Sequence, residues 1–277
     1  MIVERAPAKI NLALHVRHRR PDGYHELETL FAFAADGDTV TVVPAGRDAF
    51  AVTGPFAATL VAGPAGPGGN LVERAADAFR DAFAVERRHA ITLDKHLPVA
   101  SGIGGGSADA AATLRALARL HGIATDDPRL FVIAAALGAD VPACLLGRTT
   151  LGTGKGESLV PVDGLAGTPL LLVNPGVAVA TGAVFARWDG VDRGGIVAGG
   201  DLIARAIAGR NDLQPAALAI APIIAKVLET LAGGAILSRM SGSGATCFAL
   251  FRDLVARDAA AVRAREHGWW ALPTVLT

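Results

Sequence analysis

The sequence predicts an α+β fold in two parts, on three observations. Extended runs of alternating side chains dominate the first third, helical periodicities follow as a block, and further strands and helices come after a glycine-rich interruption at 152–156. The length of 277 residues suits one large domain or two moderate ones, at roughly 150 residues per domain.

Residues 9–16 alternate Ile10, Leu12, Leu14 and Val16 with other side chains, and Pro21-Asp22-Gly23 separates them from a second extended run at 26–33. Asp36-Gly37-Asp38 reads as a turn into the β-branched strand 39–43, and 49–53 adds a strand before the Gly- and Pro-rich loop 63–69. From Asn70 onward Leu71, Ala75, Ala78, Phe79 and Ala82 fall at helical spacing, and 89–93 returns to strand before Pro98. The run Gly102-Ile103-Gly104-Gly105-Gly106-Ser107 opens an Ala- and Leu-rich helix at 110–120, with Asp109 in its first turn where a helix dipole favours an anion. Residues 128–137 form a helix closed by Gly138, and the stretch after Gly147 is extended up to Gly152-Thr153-Gly154-Lys155-Gly156. That loop marks the expected boundary, giving domains 1–157 and 158–277. The second domain reads as strand 170–173, helices 181–188, 201–208 and 215–231, strands 236–240 and 246–251, helix 254–266 and strand 269–275. No repeat of 20 to 50 residues is apparent.

Composition excludes several function classes. Lys+Arg and Asp+Glu are both 26, with no basic run, which argues against nucleic acid as a partner. Apolar stretches stop at about ten residues, short of the roughly 20 that span a bilayer. Glu4, Arg5 and Lys9 occupy the place of a secretory apolar segment, so the chain is expected to be cytoplasmic, with no membrane partner. Cys144 and Cys247 cannot build a disulfide framework and read as small hydrophobes. Only four lysines, Lys9, Lys95, Lys155 and Lys226, stand beside 22 arginines, so each lysine is worth asking about. Composition leaves the oligomeric state open.

Glycine is enriched and clustered. Consecutive glycines let backbone N–H groups converge on an anion, and the helix that follows adds its positive end. The loop of Pro98, Val99, Ala100, Ser101, Gly102, Ile103, Gly104, Gly105, Gly106, Ser107 and Ala108 is thus a candidate phosphate site, against the plain reading as a flexible connector. It lacks the lysine of a P-loop and the last glycine of a Rossmann fingerprint. Gly154-Lys155-Gly156 also fails the P-loop pattern and reads as an interdomain loop. Gly242-Ser243-Gly244-Ala245 reads as a hairpin turn or as a second backbone surface near a phosphate. Alternation puts Lys9 and Asn11 on one strand face, ordinarily a solvated one, and Asp140 before Val141-Pro142 is ordinarily an Asx turn.

Taken together and in this order, these pieces resemble the GHMP kinase superfamily: the Lys9 strand, the loop from Pro98 to Ala108, and the late motif from Ser241 to Ala245. Arg20-Pro21-Asp22-Gly23-Tyr24-His25, Gly138-Ala139-Asp140-Val141-Pro142 and Asn211-Asp212-Leu213 extend the likeness over nearly the whole chain. Ala100 and Ser101 stand where the family has more glycine, and Ala108 replaces a frequent serine. The resemblance implies a first lobe like the second domain of ribosomal protein S5, carrying ATP and the catalytic residues. It implies a ferredoxin-like second lobe that completes the substrate cleft.

The same resemblance implies transfer of the ATP γ-phosphoryl group to a hydroxyl of a small molecule bearing a cytidine diphosphate group. Asp140 is then the base for that hydroxyl, and Lys9 the charge that orients the carboxylate and stabilises the transferring group. The Pro98–Ala108 loop, Asn70 and Lys95 fall to ATP. Asn11, Tyr24, His25, Thr181 and Phe185 fall to the acceptor, with Tyr24 and Phe185 on opposite faces of the base. Mg²⁺ accompanies ATP, and Ser107 is its candidate protein contact. The alternatives are a GHMP kinase for homoserine, a mevalonate derivative or a sugar, and a non-catalytic nucleotide-binding regulator on the same fold.

Overall fold

The computed structural model describes residues 1–62 and 69–277, so 63–68 of the expected Gly- and Pro-rich loop lie outside the described residues. The elements run β1 (Ile2–Arg19), β2 (His25–Ala45), β3 (Ala49–Thr53), α1 (Ala57–Ala62), α2 (Leu71–Phe83), β4 (Arg88–Asp94), α3 (Gly105–Leu120), α4 (Pro128–Leu137) and α5 (Val141–Leu146). They continue β5 (Thr150–Gly154), β6 (Ser158–Pro161), β7 (Pro169–Asn174), α6 (Thr181–Ala186), α7 (Leu202–Ala208), α8 (Gln214–Ile220), α9 (Ile223–Ala232), β8 (Ala235–Met240), β9 (Cys247–Phe251), α10 (Leu254–Glu266) and β10 (Trp270–Val275). Among the described residues no helix is long and apolar enough to cross a membrane.

The chain forms two compact units that interleave along the sequence. The first takes residues 1–8, 36–99 and 104–147, and the second 9–35, 100–103 and 148–277, so the units do not follow a single cut at 157.

In the first unit β4 lies between β3, which it joins in parallel through Ala49↔Ala90 to Thr53↔Asp94, and the second half of β2, joined antiparallel from Thr39↔Asp94 to Ala45↔Arg88. Asp36-Gly37-Asp38 is not a turn: β2 continues through it. A Cβ on Gly37 would lie 2.1 Å from Ala6 O, so glycine there admits the backbone of β1. Helix α2 starts at Asn70, whose side chain accepts from Val72 N, and buries Val72, Ala75 and Phe79. Helix α3 begins at Gly105, five residues earlier than the apolar periodicity suggests, and its alanines are buried on several faces. Helices α2, α4 and α5 pack around it. Sequence reading missed α1 and α5; α5 is a six-residue helix that starts at Val141, after Asp140 as its N-cap, with Pro142 in its first turn.

In the second unit the first half of β2 pairs antiparallel with β5, and β5 with β6. Gly154-Lys155-Gly156 is therefore a hairpin turn, not an interdomain loop. A four-stranded antiparallel sheet has the order β10-β7-β9-β8. Numbered from β7, that order is 4-1-3-2, the split βαβ arrangement of a ferredoxin-like lobe. Its core joins Leu171, Val173, Ala249 and Phe251 of the sheet to Ile224, Val227 and Leu231 of α9 and Ala260, Ala261 and Ala264 of α10. The expected single helix 215–231 is two, α8 and α9, divided at Ala221-Pro222 because proline cannot donate into a continuing helix.

Candidate active site

Lys9 and Asn11 share a strand face as alternation requires, and that face is buried. Lys9 is 2% exposed, its Nζ donates to Asn11 Oδ1 at 3.0 Å and sits 5.3 Å from the Phe31 ring centroid, within cation–π range. Asn11 Nδ2 donates to Thr29 Oγ1 at 2.8 Å, and Thr29 Oγ1 donates to Ala13 O at 2.8 Å. A relay of three side chains thus sets where the ammonium points, ending on a backbone carbonyl of its own strand.

Backbone bonds pin the middle of the glycine loop. Lys9 N donates to Ile103 O at 2.9 Å, Thr246 N to Ser101 O at 3.1 Å, and Ser241 Oγ to Gly102 O at 3.0 Å. Asn11 N donates to the same Ser241 Oγ. Gly102 has φ 80°, and a Cβ there would lie 2.6 Å from Ser241 O and 2.8 Å from Gly244 O, so only glycine fits. Ala100 takes φ 50°, a left-handed conformation that favours glycine, at one of the positions where the family has more glycine. The late glycine motif is both a hairpin, between Met240 and Cys247, and a backbone surface against the loop. Asn211 holds that hairpin by donating to Met240 O and Gly242 O, each at 2.8 Å.

At the far end of the loop, Gly104 is the left-handed N-cap of α3 and no side chain caps the helix. The first four N–H groups of a helix lack intrahelical partners, and here they follow a run of glycines. Ser107 is half-buried in that first turn. Asn70 is engaged as the cap of α2, with its Oδ1 2.9 Å from Val72 N. Lys95 is buried, its Nζ directed to Asp38 and Asp109 at 2.6 Å each. Asp140 occupies the N-cap position of α5 but its side chain makes no capping bond, so the Asx-turn reading does not account for it.

The residues expected at the acceptor form two groups. His25 stacks on Phe185 with ring centroids 4.8 Å apart and meets Trp188 edge-on at 5.7 Å. Burial first, and the Arg19 charge second, lower the His25 pKa and keep the ring neutral near pH 7. Tyr24 is 56% exposed, with Lys155 Nζ 4.5 Å from its ring centroid, so Phe185 faces His25 instead of Tyr24. Thr181 Oγ1 lies 2.9 Å from Ser243 Oγ of the late glycine motif. Sequence reading missed Thr29 and Trp188; it placed Ser243 in the late glycine motif, Asp109 at a helix start and Asp38 in a turn, without the side-chain partners the structure gives them. A lone Trp after an expected helix gives no signal until the fold supplies its neighbours.

Family models match residues 70–148, as the N-terminal domain of GHMP kinases, and residues 193–268, as the GHMP kinase C-terminal domain. A 4-diphosphocytidyl-2-C-methyl-D-erythritol kinase of Rhizorhabdus wittichii is 56% identical over 279 residues, covering 99% of this chain and 94% of the relative. The chain belongs to the GHMP kinases. A second such kinase within this family, from Novosphingobium aromaticivorans, is 51% identical over 97% of the chain and 90% of the relative. The crystal structure of a 4-(cytidine 5'-diphospho)-2C-methyl-D-erythritol kinase matches this GHMP kinase with a TM-score of 0.81 at 34% identity, over 99% of each chain.

Proposed function

We propose that the chain transfers the γ-phosphoryl group of ATP to the 2-hydroxyl of 4-diphosphocytidyl-2-C-methyl-D-erythritol. The observation that carries the nucleotide half is the glycine loop, whose middle is fixed by backbone bonds and whose exit opens an uncapped 16-residue helix. Such an N-terminus attracts phosphate through free N–H groups and the helix dipole. The full-length likeness to relatives named for that cytidylyl compound supports the acceptor half.

In this reading Asp140 takes the proton of the acceptor hydroxyl as its oxygen bonds to the γ-phosphorus, the bond from that phosphorus to the β,γ-bridging oxygen breaks, and ADP leaves. Lys9, held by the Asn11–Thr29 relay, meets charge that grows on the transferring group. The aromatic group of His25, Phe185 and Trp188, together with Tyr24, receives the cytosine ring, while Asn11 and Thr181 supply polar contacts to the acceptor. Residues 98–108 and Asn70 serve ATP. Among the described residues no cluster of three His, Cys, Asp or Glu side chains is arranged to hold a metal. Mg²⁺ would be held mainly by the triphosphate oxygens, with the Ser107 hydroxyl as the candidate protein oxygen, and would supply charge neutralisation. Two buried free thiols, Cys144 and Cys247, accord with a reducing, cytoplasmic setting.

The test is ADP release by the purified chain with Mg-ATP and, in parallel, the cytidylyl compound, mevalonate, homoserine and galactose. Activity is expected with the cytidylyl compound alone, and Asp140→Asn should lower turnover at least about a hundredfold. Activity confined to another acceptor, or near-normal turnover in the variant, would overturn the reading.

A further inference from the structure

A cavity of about 450 Å³ opens in the second unit between the segment that follows α6, the stretch leading into α8, and β8. Small-molecule sites commonly measure roughly 300–1,000 Å³, so the space suits a compact ligand. Six charged side chains line it: Arg187, Arg193, Arg210 and Arg239 against Asp189 and Asp212. Of the residues assigned above to ATP, the acceptor or catalysis, Trp188 alone borders it.

Both carboxylates are already engaged. Arg193 donates to the two oxygens of Asp189 through its two terminal nitrogens. Arg210 Nε donates to Asp212 Oδ1 at 2.7 Å, and Asp212 Oδ2 accepts from Val16 N at 2.8 Å. Two guanidinium groups remain without a carboxylate. Arg187 is exposed and pairs with none among the described residues. Arg239 is 9% exposed and donates to the carbonyl oxygens of Leu12, Ala206 and Gly209. Burial lowers its pKa to about 10, so the group is still a cation at neutral pH. A buried charge whose partners are all neutral dipoles keeps part of its desolvation cost, and an anion beside it recovers some of that cost. The lining holds a net charge of +2, four cations less two carboxylates, in a concave space whose low-dielectric walls concentrate the field.

Trp188 adds an independent feature. Its indole N–H is buried without a hydrogen-bond partner among the described residues, while its ring meets His25 edge-on at 5.7 Å. Pro215 and Ala216 extend the apolar flank that the indole begins. Planar guanidinium forks match phosphoryl oxygens, and an aromatic wall suits an organic group attached to them.

We propose that this cavity is a second ligand site, made of residues other than those for ATP and the acceptor, and that it binds a small organic phosphate through Arg187 and Arg239. The phosphoryl oxygens meet the two unpaired guanidinium groups, and the organic part lies along Trp188. A phosphoryl oxygen that pairs with the indole N–H shifts the ring relative to His25, so occupancy weakens the hold on the acceptor. Binding does not depend on the kinase reading; the effect on the acceptor rests on placing the cytosine ring at His25 and Phe185.

The experiment is calorimetric titration of phenyl phosphate, and in parallel of inorganic phosphate, into the full chain and into Arg187→Ala. Any share taken by the glycine loop is common to both chains. Arg187→Ala should weaken phenyl phosphate at the cavity at least about tenfold, the loss of a charge-assisted hydrogen bond. The binding lost in the variant should favour phenyl phosphate over inorganic phosphate about fivefold. In ADP-release assays, saturating phenyl phosphate should raise KM for the cytidylyl acceptor about fivefold in the natural chain and not in Arg187→Ala, whose activity without phenyl phosphate should be unchanged. No binding by the natural chain, or equal binding by the two chains, would overturn the site. Equal affinity for the two phosphates would overturn the organic class of the ligand. Binding with an unmoved acceptor KM would overturn the link through Trp188. Inactivity toward the cytidylyl compound would overturn the acceptor reading and that link with it, while calorimetry still decides the site.

Discussion

Thr29→Val tests whether the relay behind Lys9 sets the position of its ammonium. The substitution keeps the shape of a side chain that is 1% exposed and removes the one atom that accepts from Asn11 Nδ2 and donates to Ala13 O. Two buried polar groups lose a partner; each such loss costs about 1–3 kcal/mol, and the added methyl returns part of it, so a destabilisation of about 2 kcal/mol is expected. Asn11 is then free to turn its Oδ1 away from Lys9 Nζ. A misplacement on the scale of 1 Å costs about a hundredfold in rate, which sets the expected fall in kcat at ten- to a hundredfold, with KM for ATP little changed. Urea unfolding gives the first quantity and ADP release at saturating substrates the second. A stability loss of the expected size with kcat within about twofold of the natural chain would show that the relay holds the strand and not the ammonium. Unchanged stability would refute the hydrogen bonds themselves.

Two further outcomes follow, one from the glycine loop and one from a buried histidine of β1. Gly102→Ala, with its Cβ driven against Ser241 O and Gly244 O, should raise KM for ATP at least about tenfold while KM for the acceptor moves much less; an unaltered KM for ATP would remove the backbone contact from nucleotide binding. His15 is buried, its Nδ1 bonded to Gly194 O at 3.1 Å and its Nε2 accepting from Arg210 N at 3.2 Å, an arrangement that requires the neutral ring. Burial, then the Arg210 charge, lowers its pKa, so the unfolded chain takes the proton first and stability falls as pH drops below about 6.5. The natural chain should therefore lose stability relative to His15→Gln between about pH 6.5 and 5, by at most about 1.4 kcal/mol per pH unit; a constant difference over that range would refute the assignment.

Much of the candidate site was legible because its parts are local. Consecutive glycines before an alanine-rich helix, or Lys9 and Asn11 two residues apart on a strand, obey short-range rules that need no fold. What stayed hidden depends on separation in sequence. Lys95 reads as a phosphate cation until Asp38, 57 residues earlier, is found to hold its ammonium. Asp36-Gly37-Asp38 has the composition of a turn, and only the passing backbone at Ala6 shows that its glycine admits a neighbouring strand. Phe185 was expected across a base from Tyr24; the structure stacks it on His25, beside a tryptophan that no motif marks.

The interleaving of the two units bears on how the chain is made. Its course passes between them five times, so neither is a contiguous stretch that could mature on the ribosome and wait for the other. The first unit is complete only when residue 147 has emerged. The second begins with residues 9–35 yet closes only when later segments reach back to them, Asp212 Oδ2 accepting from Val16 N and Leu276, just past β10, bridging Ala34. A fragment cut at 158 would lack the strand that supplies Leu12 O to Arg239, and would carry that buried guanidinium with only Ala206 O and Gly209 O as acceptors. The second unit therefore cannot be complete until β10 has been made. Gene fusions and split versions of this kinase should keep both termini attached to one continuous chain.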